Sequence, residues 1–289
     1  MLNRNFIIIL FFFAKIHSYE GCISNKNKIN LPAKEYDLDN PSILKLNDAL
    51  LEISGISFYP KDSSVFAISD ENGYLFKIHL DKNFVTEKWK FDKKRDYEDL
   101  FYKDSTFYVL ESNGNIHTLN FSPQGDTIYT RKSIFPAIGK NKNEFESLYY
   151  DEERKCFIML CKDCEGDKKN ALTAWSYNPE NGIYTPTSFK LNVDLIAKQI
   201  GVEKLKFKPS AATINPVTHE VWILSAINQL LVVADSNGVY KEAFTLNPAI
   251  FTQPEGISFT PSGDLIISNE AGDKYNTGTL LIFKLKKTI

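Results

Sequence analysis

One pattern recurs five times along the chain and constrains the fold more than any other feature: two short apolar strands joined by a turn rich in Gly, Pro, Asn and Asp. When the five copies are aligned on their first strand, one position is shared at intervals of 44, 48, 64 and 45 residues. The residues at this ring position are Ser54, Glu98, Glu146, Ser210 and Glu255. A period in the 40s with several short strands per unit is typical of a β-propeller.

Composition agrees with an all-β chain. The protein has 289 residues, of which 43% are hydrophobic, and it contains 14 Tyr and 21 Phe, residue types that favour strands. The net charge of −2 provides no basic footprint for a nucleic acid. The sequence therefore favours one large β domain and argues against nucleic-acid binding.

Counting the repeats predicts a five-bladed propeller over residues 32–289, with a six-bladed ring as the alternative. The 64-residue interval contains Val193–Lys204, whose apolar spacing predicts a helix after a possible cap at Asn192. A weak sixth blade hidden in residues 193–207 is the alternative interpretation. The last repeat is one strand short, so we expect an N-terminal strand, Lys34–Leu38, to pair with Gly278–Leu285 and close the ring.

The N-terminus resembles an export signal. Arg4 precedes the apolar run Phe6–Ala14, which is too short to span a bilayer. Residues 1–21 are therefore predicted to be a signal peptide, with a buried strand as the alternative. Cys22 after Gly21 suits lipid attachment, with ordinary cleavage as the alternative, and residues 22–31 form a polar tether. We expect an exported protein, either secreted or held at the membrane surface as an outer-membrane or periplasmic lipoprotein.

Two cysteines, Cys161 and Cys164, form a CxxC motif. A zinc site would need a second cysteine pair or nearby histidines, and the four histidines are scattered singly. A thioredoxin-like redox role would need a βαβ context that the chain lacks. In an exported protein a local disulfide is the favoured interpretation. Cys156 alternates with apolar residues and is expected in the core.

Three ring positions carry carboxylates: Glu98, Glu146 and Glu255. The first strand of each propeller blade lines the central channel, so these side chains are expected near one axis, with Ser54 and Ser210 between them. Crowded carboxylates repel one another unless a cation or proton neutralises them. An oxygen-only shell suits Ca²⁺ more than Mg²⁺. The alternative is that these residues sit at the channel mouth and face bulk water.

A second set of polar residues ends the second strand of each repeat. Its acidic members, predicted to line the channel, are Asp70, Glu111, Asp163 and Glu270. Ordinary turn chemistry explains each of them singly, but together they make one end of the channel acidic. No nucleophile elbow, zinc-protease motif or phosphate loop is present. Paired carboxylates could support acid–base catalysis, although their spacing does not require it.

These repeats resemble the SdiA-regulated family, which is related to the NHL-repeat propellers. The resemblance extends from about Leu51 to Leu285. The matching motifs are ISGISF (53–58), SDENG (69–73), YEDLF (97–101), FESLYYD (145–151), PSAATINP (209–216), PEGISF (254–259) and ISNEAGDKYNTGTLLIF (267–283).

The resemblance implies an exported five-bladed propeller with a bound calcium ion, and it places metal binding on Glu98, Glu146 and Glu255. It implies no defined reaction. Where the family has a small Gly after the ring position, this chain has Asp99, Ser147 or Ala211, whose side chains could narrow the channel mouth.

Two functions follow from the sequence and the resemblance, and a purely structural scaffold of the cell envelope is a third interpretation. The first is a non-enzymatic calcium-binding module that recognises a protein or small-molecule partner at the cell envelope. The alternative is a metal-dependent hydrolase of the phytase or lactonase type that uses the channel carboxylates, because related propellers use a channel metal for such chemistry.

Overall fold

Five four-stranded antiparallel sheets make up the fold. The computed structural model describes residues 33–80, 86–136, 143–164, 170–271 and 277–286. The first strands of neighbouring blades contact one another in sequence, and the first strand of the last blade contacts that of the first blade. The sheets therefore form a closed five-bladed propeller, as the repeat count predicts. The predicted signal peptide, Cys22 and the tether lie outside the described residues.

Blades one and two are each built from four consecutive strands. Blade one contains β2 (Ile53–Tyr59), β3 (Ser64–Ser69), β4 (Tyr74–Ile78) and β5 (Thr86–Lys90). Blade two contains β6 (Tyr97–Lys103), β7 (Thr106–Glu111), β8 (Ile116–Phe121) and β9 (Ile128–Ser133). In each blade the first strand is innermost and the fourth is outermost.

Blades three and four are separated by the only α-helix of the described chain. Blade three contains β10 (Glu144–Asp151), β11 (Cys156–Asp163), β12 (Ala171–Tyr177) and β13 (Tyr184–Asn192). Blade four contains β14 (Ala211–Ile214), β15 (Val221–Ser225), β16 (Leu230–Ala234) and β17 (Tyr240–Thr245). Helix α1 (Val193–Ile200) begins at an Asn192 cap and ends at Gly201 in the left-handed region, with φ 76°. The long interval between the ring positions of blades three and four therefore contains a helix, and residues 193–207 form no sixth blade.

Blade five is completed by the N-terminal part of the chain. It contains β18 (Pro254–Phe259), β19 (Leu265–Asn269), β20 (Thr279–Phe283) and, on its outer edge, β1 (Ser42–Lys45). Strand β1 pairs antiparallel with β20, with Leu44 opposite Leu280. Ring closure by an N-terminal strand is confirmed. A 3₁₀ helix, Asp48–Leu50, links β1 to blade one.

The prediction that Lys34–Leu38 is the closing strand is wrong. These residues form bends and a turn. Tyr36 is buried, donates a hydrogen bond from its hydroxyl to Gly263 O at 2.6 Å, and meets Trp222 edge to face at 5.5 Å. The segment thus packs into the apolar layer between blades four and five, and its alternating pattern reflects burial of single side chains rather than a strand.

The hydrophobic core is divided into five layers, one between each pair of neighbouring blades. Aromatic side chains join successive blades, as in the contact of Phe66 with Phe107 at 4.4 Å between ring centroids. Helix α1 buries Val193, Ile196 and Ile200 in the layer between blades three and four. With eight residues it is far too short to cross a bilayer, and the described chain has no other helix that could do so.

Candidate functional site

Four of the five ring positions lie at a β-bulge in the innermost strand of their blade. The register between the first and second strands shifts at Ser54–Gly55, at Glu98, at Glu146 and at Glu255. A bulge leaves one residue without a cross-strand partner and re-aims its side chain. In blade four, Ser210 lies just before β14.

The serine hydroxyls at the ring positions connect neighbouring blades. Ser54 Oγ donates to Glu98 O at 2.5 Å, and Ser210 Oγ donates to Pro254 O at 2.7 Å. Ser268 Oγ adds a third bond of this kind, to Ser54 O at 2.9 Å. The bonds from Ser54 and Ser210 fix one innermost strand against the next, and the bond from Ser268 ties β19 to β2, so the serines contribute first to the rigidity of the ring.

Burial and mutual repulsion act on the ring carboxylates. Burial, with the neighbouring Asp96 carboxylate, raises the pKa of Glu98 to about 8. Burial, with repulsion from Glu270 and Glu98, raises the pKa of Glu255 to about 8. The Glu98 carboxylate of blade two therefore contributes to the raised pKa of Glu255 in blade five.

Two members of the second acidic set belong to the same electrostatic group. Burial, together with Asp70 and Glu52, raises the pKa of Glu270 to about 7. Burial and the Glu52 carboxylate raise the pKa of Asp70 to about 6. Within the described part of the chain, Asp70 Oδ1 is buried without a hydrogen-bond partner. We call Asp70, Glu98, Glu146, Glu255 and Glu270 the channel carboxylates.

The other two members of that set are engaged differently. Glu111 accepts hydrogen bonds from His117 Nε2 at 2.6 Å and from Lys132 Nζ at 2.5 Å, on the third and fourth strands of its own blade. Although burial acts to raise it, these bonds lower the pKa of Glu111 to about 2. Asp163 is exposed, with its carboxylate 3.9 Å from Lys208 Nζ.

Glu111, His117 and Asp92 have ligand atoms within 4.8 Å of one another, which is a spacing that a metal ion could bridge. Arg95 Nε already lies 2.8 Å from Asp92 and 3.2 Å from Glu111, and Lys132 neutralises Glu111 from the other side. Because two permanent cations balance the two carboxylates, this cluster fits a metal less well than the channel carboxylates do.

Sequence reasoning missed Lys162. Its ammonium forms an ion pair with Glu146 and lowers the pKa values of Glu98, Glu255 and Glu270 from what burial and repulsion alone would give. Four of the channel carboxylates therefore interact electrostatically with a cation supplied by the chain itself. The available signal was a single basic residue between Cys161 and Cys164, at the end of a strand where the other repeats carry acidic or neutral residues.

The two CxxC cysteines form a disulfide, with Cα atoms 5.6 Å apart, and both side chains are buried. Cys156 is a buried free thiol in the layer between blades three and four.

The position after each ring residue controls the contact between blades. A Cβ atom at Gly55 would lie 2.5 Å from Asp99 Cα, so only glycine fits there. Asp99 itself is buried, and its carboxylate accepts hydrogen bonds from Leu100 N at 2.8 Å and Leu148 N at 2.6 Å. Ser147 and Ala211 are also fully buried. The expectation that these side chains narrow the channel mouth is wrong, because they are enclosed between strands.

A family model described as SdiA-regulated matches residues 26–275. No curated protein is detectably similar to the chain in sequence. Glutaminyl cyclase from Myxococcus xanthus superposes with a TM-score of 0.56 at 11% identity, covering 85% of this chain and 96% of that one. The PQQ-bound aldose sugar dehydrogenase from Streptomyces coelicolor has a TM-score of 0.52 at 9% identity, covering 86% of this chain and 99% of that one. Regucalcin from Agrobacterium tumefaciens, a calcium-binding protein, has a TM-score of 0.47 at 11% identity, covering 89% of this chain and 96% of that one. At these identities the similarities concern the fold alone.

Proposed function

The chain belongs to the SdiA-regulated family, and on that premise we propose that it is an exported calcium-binding propeller that recognises a partner at the cell envelope. Its neighbours of similar fold include enzymes, so the fold itself leaves the activity open. The choice of function depends on the channel carboxylates.

The observation that carries the proposal is the pair Glu98 and Glu255, whose pKa values are both raised to about 8. Two carboxyl groups in such an environment need a proton or a cation, and at neutral pH a divalent cation would satisfy both. The donor set consists of oxygen atoms, and the buried, unpartnered Asp70 Oδ1 extends it within the described residues. Hard cations prefer such donors, Ca²⁺ above Mg²⁺ when the coordination is loose.

Glu98, Glu146 and Glu255 would hold the ion, with Asp70 and Glu270 beside them. Calcium would supply charge neutralisation and a fixed contact at the channel mouth. The residues themselves come from separate blades on bulged strands. Only the closed ring brings them together, so we expect the unfolded chain to bind calcium weakly.

Calorimetric titration and thermal melting test the calcium site. We expect calcium to raise the free energy of unfolding by about 2.7 kcal/mol at a hundredfold excess over Kd, because it binds the folded chain alone. The variant Glu255→Gln should weaken binding, whereas Glu180→Gln at an exposed turn should bind as the wild type does. A wild-type protein with neither binding heat nor a rise in Tm would contradict the proposal.

Export is the second part of the proposal. The disulfide between Cys161 and Cys164 supports it, because disulfides persist in oxidising compartments. Residues 1–21 would act as the signal peptide, and Cys22 would carry the lipid that holds the domain at a membrane surface. Labelling of expressing cells with a fatty-acid analogue should mark the wild type and leave Cys22→Ser unmarked. An unmarked wild-type protein recovered outside the cytoplasm would contradict the lipid anchor and agree with export.

A metal-dependent hydrolase of the phytase or lactonase type is the second candidate function. It is favoured by Glu98 and Glu270, whose pKa values of about 8 and about 7 lie near those of effective general acids and bases. Release of phosphate from phosphate esters, or ring opening of lactones, should then require calcium and be lost in Glu270→Gln. Calcium binding without turnover of either substrate class would favour the recognition module.

A further inference from the structure

Lys162 occupies a special place in the register of blade three. Among the strand pairs that the structure describes, only β10–β11 carries two shifts between a first and a second strand. One shift leaves Glu146 without a cross-strand partner, as at the other bulged ring positions. The other leaves Lys162 unpaired on β11, between Cys161, which pairs with Phe145, and Asp163, which pairs with Glu144. Two bulges therefore face each other and aim one carboxylate and one ammonium at the same point.

The disulfide fixes this arrangement. The disulfide between Cys161 and Cys164 closes a tight loop that contains only Lys162 and Asp163 between the two cysteines. Both cysteines are buried. A lysine in an open turn would lose much conformational freedom on pairing with a carboxylate. Closing the turn reduces the backbone part of that loss, so the ammonium of Lys162 stays near the ring.

Lys162 interacts with four of the channel carboxylates. Its ammonium pairs with Glu146 and acts electrostatically on Glu98, Glu255 and Glu270, which come from blades two and five. Lys208, which follows α1 in the chain, lies beside Asp163 instead. One side chain thus places a positive charge where a metal ion would be most favourable.

We propose that Lys162 is a tethered competitor of calcium, which occupies the ring in the metal-free protein and is displaced from Glu146 when a divalent cation enters. This inference rests on the proposed function. It assigns selectivity to the site, because a monovalent ion that replaces Lys162 brings no additional charge and must also be immobilised. A divalent ion brings one charge more than it displaces.

Calcium titration of wild type, Lys162→Gln, Lys162→Arg and Lys241→Gln tests the competition. Lys241 is a matched control, because it lies on outer strand β17 and forms a 2.7 Å ion pair with Glu220. We expect Lys162→Gln to bind calcium about tenfold more tightly, since loss of one nearby charge is worth on this order. It should also lose affinity more steeply as NaCl is raised. Lys162→Arg and Lys241→Gln should bind calcium as the wild type does.

Melting in chelator provides a readout without metal. Lys162→Gln should then melt below Lys241→Gln and Lys162→Arg, because the channel carboxylates lose their internal counter-ion. Equal calcium affinity in wild type and Lys162→Gln would overturn the competition and leave the calcium site intact. Absence of calcium binding in all four proteins would instead overturn the proposed function. Weaker binding by Lys162→Gln would also overturn the inference, because Lys162 would then support the site.

Discussion

The surroundings of Glu255 disfavour the ionised form of its carboxyl group. Its carboxyl group is more easily protonated in the folded chain than in the unfolded one, with a folded pKa of about 8. Between the unfolded value and about pH 8, the folded state holds a proton that the unfolded state has released. The stability of the metal-free domain should therefore fall as pH rises through this window.

Replacement of Glu255 by Gln removes this contribution. In chelator, Glu255→Gln should be more stable than the wild type by on the order of 1 kcal/mol above pH 8. The difference should shrink as the pH falls, because the wild-type carboxyl group becomes protonated first in the folded state and then, near and below pH 4.5, in the unfolded state as well. Paired thermal melts from pH 4.5 to pH 9 measure it. A difference that stays constant with pH would mean that Glu255 acts through packing and not through charge.

Asp99 serves the fold rather than the channel. Burial raises the pKa of its carboxyl group well above the ordinary range, and Leu148 N of the next blade donates to it at 2.6 Å. Asp99→Ala leaves that amide without an acceptor and should lower the free energy of unfolding by about 1–3 kcal/mol. Denaturant titration measures the loss. The equivalent residue of blade three is the control: Ser147 Oγ is buried with no partner in the described chain, so Ser147→Ala should be nearly neutral.

The innermost strands form the element on which the site depends. A Cβ atom at Gly256 of β18 would lie 2.6 Å from Ser54 O and 2.4 Å from Ser268 Oγ, the two atoms that join blades five and one. Gly256→Ala should therefore separate β18 from β2, lower stability by about 1–3 kcal/mol and weaken calcium binding. Melting and calcium titration follow both effects.

Gly125 provides the comparison. Nothing lies within 4 Å of a Cβ atom at this turn, although its φ of 79° disfavours alanine. Gly125→Ala should then cost about 1 kcal/mol through backbone strain alone, with calcium affinity unchanged. Equal calcium affinity in Gly256→Ala and the wild type would show that the site does not depend on this contact between blades.

The sequence predicts the elements well because each blade repeats the same alternation of apolar residues and turns. It predicts helix α1 because Asn192 caps an apolar stripe. It does not predict the bulges, since a bulge is a shift between two strands and leaves no mark on the periodicity of either one. Glu98 and Glu255 could be found because they repeat. Lys162 could not be placed, because its position depends on a second bulge that, among the strand pairs the structure describes, occurs only in blade three.

At the scale of the whole molecule, the two ends of the described chain meet. Strand β1 completes blade five, Lys286 N donates to Glu35 O at 2.9 Å, and Lys286 Nζ donates to Tyr36 O at 3.1 Å. The sequence predicts closure but misplaces the strand. Lys34–Leu38 alternates more regularly than Ser42–Lys45, whose Ile43 is 46% exposed. Only the tertiary structure reveals that Tyr36 fills a gap between blades.

Closure of the ring should make the N-terminal segment essential for the stability of every blade. Deletion of residues 1–45 removes β1 and Tyr36, exposes the edge of β20 and uncovers Leu280 and Leu281. We expect a fall in Tm of the whole domain in one transition, together with loss of calcium binding, because Glu255 is carried by the same blade as β1. Deletion of residues 1–31 keeps both features and is the matched control, which should melt and bind calcium like the mature protein. Scanning calorimetry of the two truncated proteins decides the matter: equal melting temperatures would mean that the ring remains closed without β1.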